Sequence, residues 1–403
     1  MTQQGQDGTS PFRGRVRAMV HGVAFGDAMG APVEKLSAAE IRERYGRVTS
    51  LRTAWHRDGQ SEDQRKGRVR GNGITTDDTA MTLSLMRIYE REGRHLDAWD
   101  MAEGMVREIA WESRWVPELQ RETPLIERLF YPEKWIFQRL QLSACDPRQG
   151  GVGNMVNCGA TMYIAPVGAV NACNPRAAYD EAINFAEGHQ QSYGLEAAGV
   201  FAAAIAQAFV PGATLSEVVQ TAYDLAHDGT RTAIGEIVAA AGELARKGAE
   251  ADEVTDTFHR LIAPFSPMGD NVAHGPEKAG VATAAYQPSR LLSIEELPLA
   301  LGFCITAGGD FRQGVIDGIN SGRDTDSIGV MVGAILGAMH GPSVIDEDDA
   351  ELLDSANRFC LSESADRFTT AAQAIIQVDE EAARARAAQR AAIFAQDKKE
   401  AAE

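Results

Sequence analysis

The chain has 403 residues, 44% of them apolar and 24% charged, with a formal net charge of −18. This is a globular balance with enough apolar material for a core, and the length allows one large domain or two average ones. The acidic excess excludes a nucleic-acid backbone or an anionic lipid surface as partner, since both need a basic footprint.

No apolar run reaches the roughly 18 residues of a membrane span. The N-terminal stretch MTQQGQDGTSPFRGRVR has no apolar signal core. The five cysteines form no CxxC pair and are odd in number, which fits a reducing cytoplasm better than a disulfide framework.

In chain order, helix signals dominate. HGVAFGDAMG carries Gly22, Gly26 and Gly30 four apart. A mid-helix Gly costs about 0.8–1.0 kcal/mol against Ala, so three on one stripe imply close approach of another backbone. SAAEIRERYG (37–46) reads as a helix capped by Ser37, boxed by Glu40 and stopped by Gly46. RVTSLRTAW (47–55) is the best strand signal, and it is weak. In GITTDDTAMT, Thr76 reads as an N-cap with Asp77 and Asp78 in the first turn. Met81, Leu85, Ile88 and Tyr89 then share one face of that helix.

Residues 111–150 crowd Trp111, Trp115, Phe130, Tyr131, Trp135 and Phe137 between prolines and charges. They read either as an aromatic lid over a site or as a satellite hydrophobic cluster under a long excursion. NPRAAYDEAINFAEG predicts a helix with Asn174 as cap and Pro175 at its first position. TLSEVVQTAYDLAHDG predicts one from Thr214, boxed by Glu217 and ending at Gly229. Residues 264–280 read as a Gly/Pro-rich loop. SIEELPLALGFCITAGG predicts a helix from Ser293 to Gly308, boxed by Glu296 and kinked or delayed by Pro298. SIGVMVGAILGAMHG repeats the glycine stripe at Gly329, Gly333 and Gly337, and His340 reads as a helix-end residue. From about Asp346 the chain turns acidic and helical, and its last stretch reads as a surface helix with a frayed end. The expectation is an all-α protein of about a dozen helices. With no repeat and no clear linker, it should form a single compact multi-helix domain.

The carboxylates carry the chemistry. One acid in a first turn satisfies the helix dipole, whereas Asp77 and Asp78 side by side repel and ask for a cation. Asp324 and Asp326, followed by Ser327, open the second glycine-striped helix, which offers almost no polar face. Glu34 follows the first stripe. Buried anions must be paired or metal-bound, and all-oxygen ligands select Mg²⁺, Mn²⁺ or Ca²⁺. Arg323 is the only basic residue adjacent to the two aspartate motifs. After Asp324 the fifth and twelfth positions are Ile328 and Ile335, which excludes an EF-hand. No GxxxxGK[ST], HExxH or GxSxG motif is present. His189, between two helices, reads as a substrate contact or as a helix-terminal hydrogen bonder.

In this order, GDAMGAPVE, TTDDTAMT, CGATMYIAPVG and GRDTDSIGVMVGAILG resemble the ADP-ribosylglycohydrolase family, over roughly residues 14–341. The resemblance implies an all-helical orthogonal domain with two Mg²⁺ ions at the bottom of a cleft, Mn²⁺ being an alternative. Its implied metal ligands are Thr76, Asp77, Asp78, Asp324, Asp326 and Ser327. The catalytic carboxylates would be Asp78, Glu34 and Asp77, with Asp78 or Glu34 as base. Gly159, Met162, Tyr163, His189 and Arg323 would contact substrate. Cys158 and Tyr163 stand where many members have Asn and Arg, and the missing Arg removes a phosphate contact.

The implied reaction is hydrolysis at ribose C1 of an ADP-ribosyl conjugate, such as ADP-ribosylated arginine on a protein. The rivals are an N-glycosidase of a small riboside or nucleotide and a non-catalytic ADP-ribose-binding protein. The expected layout is a catalytic domain over 14–345, with 346–403 as a helical extension packed on it.

Overall fold

The computed structural model describes residues 10–155, 157–265 and 293–400, and nearly all regular structure in them is helical. Helix α1 (Pro11–Gly30) starts where the Ser10 hydroxyl accepts from the Arg13 N–H, with Pro11 in the first turn. In α2 (Ala38–Tyr45) the Ser37–Glu40 capping box is complete, and Gly46 leaves the helix at φ 66°. The one-turn α3 (Glu62–Arg65) precedes α4 (Asp77–Glu92), which Thr76 caps. After α5 (Ala98–Asp100) the chain widens into π-helical turns, then forms β1 (Ser113–Val116) and β2 (Arg121–Pro124). These two antiparallel strands, Trp115 opposite Glu122, are the only sheet among the described residues.

Helices α6 (Tyr131–Ile136), α7 (Ala165–Val170), α8 (Pro175–Ala186) and α9 (Tyr193–Ala208) follow. The expected Asn174 cap accepts from the Ala177 N–H. Next come α10 (Leu215–Leu225), α11 (Asp228–Lys247) and α12 (Ala251–Ile262). The chain closes with α13 (Ser293–Thr306), α14 (Phe311–Asn320), α15 (Thr325–His340), α16 (Glu347–Asn357) and α17 (Leu361–Glu400). No helix among the described residues is long and apolar enough to cross a membrane.

Three local expectations differ from the structure. Residues 47–55 form turns with one isolated bridge, Ala54 to Gly71, and no strand. Their apolar side chains Val48, Leu51 and Trp55 fall three and four apart and are buried singly, so no two-residue period survives. Helix α10 stops at Leu225 because Ala226 is already extended, and Gly229 lies in the first turn of α11. Pro298 sits inside α13 without delaying its start. Of the predicted loop 264–280, residues 266–280 lie outside the described set.

The glycine stripes explain the centre of the molecule. A Cβ at Gly22 would overlap the Gly333 carbonyl, and one at Gly26 the Gly329 carbonyl. One at Gly30 would meet the backbone of Asp326, and one at Gly337 that of Ala18. Helices α1 and α15 are therefore antiparallel and in main-chain contact along their length. This brings the end of α1 against the start of α15, where Asp324, Asp326 and Ser327 lie.

Helix α17 buries Leu361, Ala365, Phe368, Ala372 and Ile375, one stripe at helical spacing. The Phe368 ring packs 5.9 Å from that of Tyr89 on α4. His95 ties the same helix down, with Nδ1 at 2.6 Å from Glu181 and Nε2 at 2.8 Å from Asp379. With both ring nitrogens donating, the imidazolium is favoured. The Glu181 hydrogen bond is the main cause that lifts His95 to about 9. A raised pKa contributes stability fully below the ordinary value near 6.5 and loses it as pH rises through about 9. Amide exchange around Asp379 is therefore expected to quicken between pH 7 and 9.5, after correction for intrinsic rates, and His95→Gln should remove that dependence.

Candidate active site

The site begins with a capping arrangement that frees two acids. Asp27, fully buried on α1, accepts from the backbone N–H groups of Thr76 and Thr79 at 2.9 and 3.0 Å and from the Thr79 hydroxyl at 2.5 Å. Donors at the start of α4 are thus satisfied from outside the helix. Asp77 and Asp78 are not needed as caps and face a cavity of about 190 Å³. Burial raises Asp27 to about 6, opposed by those hydrogen bonds.

Glu34, Asp324 and Asp326 present carboxylate oxygens that all lie within 4.8 Å of one another. Asp78 joins them through Ser327, whose hydroxyl donates to Asp78 Oδ1 at 3.0 Å. Thr76 Oγ1 donates to the other Asp78 oxygen at 3.2 Å. Cys158 Sγ sits 3.1 Å from the Ser327 hydroxyl and 3.5 Å from Asp324 Oδ2. Burial pushes Asp78 well above the usual carboxylate range, and Asp27, Asp77 and Asp324 push it further. Asp326 is raised in the same way, by burial and then by Glu34, Asp78 and Asp324. Converging, dry, mutually repelling carboxylates with hydroxyls beside them fit a hard divalent cation. Asp324 and Asp326 would hold such an ion, with Glu34 and Asp78 beside it.

Cations from distant segments also enter. Arg70 pairs with Glu34 and with Glu118, the latter at 2.6 Å. Arg128, almost wholly buried, pairs with Glu118 and Asp77. Lys35 Nζ lies 3.1 Å from Glu34. Burial works to raise Glu34, but Lys35 and Arg70 outweigh it and hold its carboxyl below the usual range. Arg323, adjacent in sequence, is therefore not the main counter-charge. Lys35, next to Glu34 in sequence, supplies part of it, and residues 70 and 128 supply the rest by tertiary packing that no local motif announces.

Glu34, Asp77, Asp78, Asp324, Asp326, Ser327 and Met162 line this one cavity, and Thr76 lies buried beside them. Four expected substrate contacts, Gly159, Tyr163, His189 and Arg323, are not on its wall. Tyr163 and His189 are fully buried, stacked at 5.8 Å, with the Tyr163 hydroxyl 2.8 Å from His189 Nδ1. They sit behind Gly159, whose added Cβ would lie 2.6 Å from Glu133 Oε1 and 3.1 Å from His189 Cε1. Burial lowers His189 to about 3, so it stays neutral. Arg323 donates to Glu295 at 2.7 Å, and its backbone bonds to Lys35 and Leu36, making it a brace between loops.

Besides Arg70, sequence reasoning missed Asp27, Glu118, Arg128 and Glu133. Asp27 alone had a signal: it interrupts an otherwise apolar buried stripe. The others come from residues 111–150, which form one wall of the cavity through Phe130, Pro132 and Glu133. Trp111 and Tyr131 from the same segment are 62% and 58% exposed. Glu133 is fully buried, accepts from Asn157 Nδ2 at 2.7 Å and is raised to about 7, chiefly by burial and then by Asp77.

The family model described as ADP-ribosylglycohydrolase matches residues 9–384. The chain belongs to the ADP-ribosylglycohydrolase family, whose members are metal-dependent glycosyl hydrolases. An uncharacterized protein of Archaeoglobus fulgidus is 26% identical over 330 residues, 80% of this chain and 87% of that protein. The uncharacterized protein YegU of Escherichia coli K12 is 24% identical over 353 residues, 85% and 93% of the two chains. A solved structure titled ADP-ribosylglycohydrolase-related protein complex superposes with a TM-score of 0.58 at 19% identity. That match covers 90% of this chain and 99% of the other, and it bears on the all-α fold alone.

Proposed function

We propose that the protein hydrolyses the glycosidic bond at ribose C1 of an ADP-ribosyl conjugate, using two Mg²⁺ ions. The observation that carries this reading is the convergence of Glu34, Asp324 and Asp326 within 4.8 Å, from two separate segments, with Asp78 tied in by Ser327. Bound divalent ions would supply Lewis-acid stabilisation and a grip on the ribose hydroxyls. Thr76, Asp77, Asp78, Asp324, Asp326 and Ser327 are the proposed ligands. Glu34 or Asp78 would take the proton from the attacking water, and the surrounding carboxylates would stabilise positive charge growing on the ribose ring. Glu133, raised to about 7 at the same cavity, is a candidate to return a proton to the leaving group. Arg128 would orient Asp77, and Phe130 would shield the cavity from water.

A second reading, an N-glycosidase of a small riboside, draws support from Tyr163. Its hydroxyl is committed to His189, so it offers no phosphate contact. In either reading, residues 14–345 carry the chemistry, 111–150 wall the site and 346–403 form a docked extension. The cytoplasm is the proposed compartment, where the five free cysteines would stay reduced.

The test is a turnover panel of ADP-ribosyl-arginine, ADP-ribosyl-serine, nucleosides and nucleotides, with Mg²⁺ and with chelator. Mg²⁺-dependent release of ADP-ribose is the expected result. Release of ribose or ribose phosphate from simple ribosides alone would move the assignment to the second reading. Tight ADP-ribose binding with no turnover on the whole panel would overturn both.

A further inference from the structure

A second pocket adjoins the carboxylate cavity and has the opposite charge. It encloses about 80 Å³, and Glu34, Lys35 and Phe130 line both spaces. Its other walls include Arg57, Arg65, Lys66, Arg68 and Arg70. In a chain with 57 acidic and 39 basic residues, this concentration of cations is against the average. Lys35 and Arg70 are paired with Glu34, which is the only carboxylate on the wall among the described residues. Arg57, Arg65, Lys66 and Arg68 form no direct ion pair among the described residues, although Glu118 and Asp77 act on Arg68 from further away. Arg68 donates to the Arg128 carbonyl and lies over the Phe130 ring, and Arg57 donates to His56 Nε2 at 3.0 Å.

Two further observations point to a missing acceptor. Trp55 is 6% exposed, lines the pocket, and its indole Nε1 is buried without a partner. The Arg65 Nε is also buried without a partner, on the same wall. Buried donors are nearly always satisfied, so two orphan donors carried by residues of one wall call for an acceptor near it. Gathered cations that outnumber the anions beside them call for further negative charge. Nearby His56 is lowered, mainly by burial and also by Arg57, Arg44 and Arg70, as a positive surrounding requires.

We propose that this pocket binds a phosphate-class oxyanion beside the carboxylate cavity. Its size suits one tetrahedral group, and guanidinium and indole N–H groups suit its oxygens. The anion arrives either as the phosphate of a ribosyl substrate or as free phosphate. The first source rests on the hydrolase reading above; oxyanion binding itself does not.

The test is calorimetry of the full chain with inorganic phosphate, in chelator and at fixed chloride. Saturable binding is expected, weakened about tenfold by Arg65→Gln and about a hundredfold by Arg57→Gln with Arg65→Gln. Because the Arg65 side chain has no ion pair, Arg65→Gln should melt at or above the wild-type temperature, whereas the double variant also loses the Arg57 hydrogen bond to His56. A lowered Tm with unchanged phosphate affinity would assign them a structural role and overturn the proposal. So would the absence of saturable binding to the wild type. A second arm compares ribose, ribose 5-phosphate and phosphate. Ribose 5-phosphate binding at least tenfold tighter than either fragment, and lost in the double variant, identifies the substrate's own phosphate. Affinity equal to that of phosphate identifies the free anion.

Discussion

Asp326→Ala is expected to lower kcat/KM by at least about a thousandfold and to remove Mg²⁺ binding measurable by calorimetry. Asp326 belongs to the carboxylate triplet and stands at the start of a helix with no polar face toward solvent. Its loss leaves Glu34 and Asp324 without their third partner. The same change should stabilise the metal-free protein. Asp326 is raised by burial and by three neighbouring acids, so removing it relieves desolvation and repulsion together. An inactive variant with a higher Tm than wild type, both in chelator, is the combined signature. Turnover within tenfold of wild type would end the proposed role for this residue.

Gly26→Ala should be among the most damaging small substitutions at the described residues. Helix propensity favours Ala by about 0.8–1.0 kcal/mol. Against that, the new methyl would overlap the Gly329 carbonyl and the Val330 N, which are main chain and have no rotamer to change. Overpacking of this kind costs typically about 1–3 kcal/mol, and a rigid backbone neighbour puts this case at or above the upper end. A net loss of about 2 kcal/mol or more by denaturant titration is therefore expected. Gly242→Ala is the control: an added Cβ there meets nothing within 4 Å, so propensity alone should stabilise α11. Equal effects of the two changes would contradict the close helix contact.

The helical architecture was legible because its signals are local. Ser37 with Glu40, Asn174 with Pro175 and the two glycine stripes each work within a single turn or a single face. The acids around the cavity were legible for a related reason. Asp77 beside Asp78, and Asp324 near Asp326, are locally unfavourable, so a reason for them had to lie elsewhere. What stayed hidden depends on tertiary packing. Arg70 and Arg128 reach the acids from segments with no motif, and Glu133 has no spacing that marks it. Tyr163 and His189, implied as substrate contacts by the family resemblance, satisfy each other beneath Gly159. Residues 47–55 lacked a strand partner, which no short window can reveal.

The contact between α1 and α15 has an evolutionary corollary. Their acid-bearing ends are held by main chain against main chain, so the gap between them cannot be retuned by swapping side chains. A lineage exploring new substrates would keep this vice and vary what surrounds it: the arginine-bearing stretch at 55–70 and the wall at 111–150. Divergence concentrated there, with glycine retained at 22, 26, 329 and 333, is the pattern such a constraint would leave.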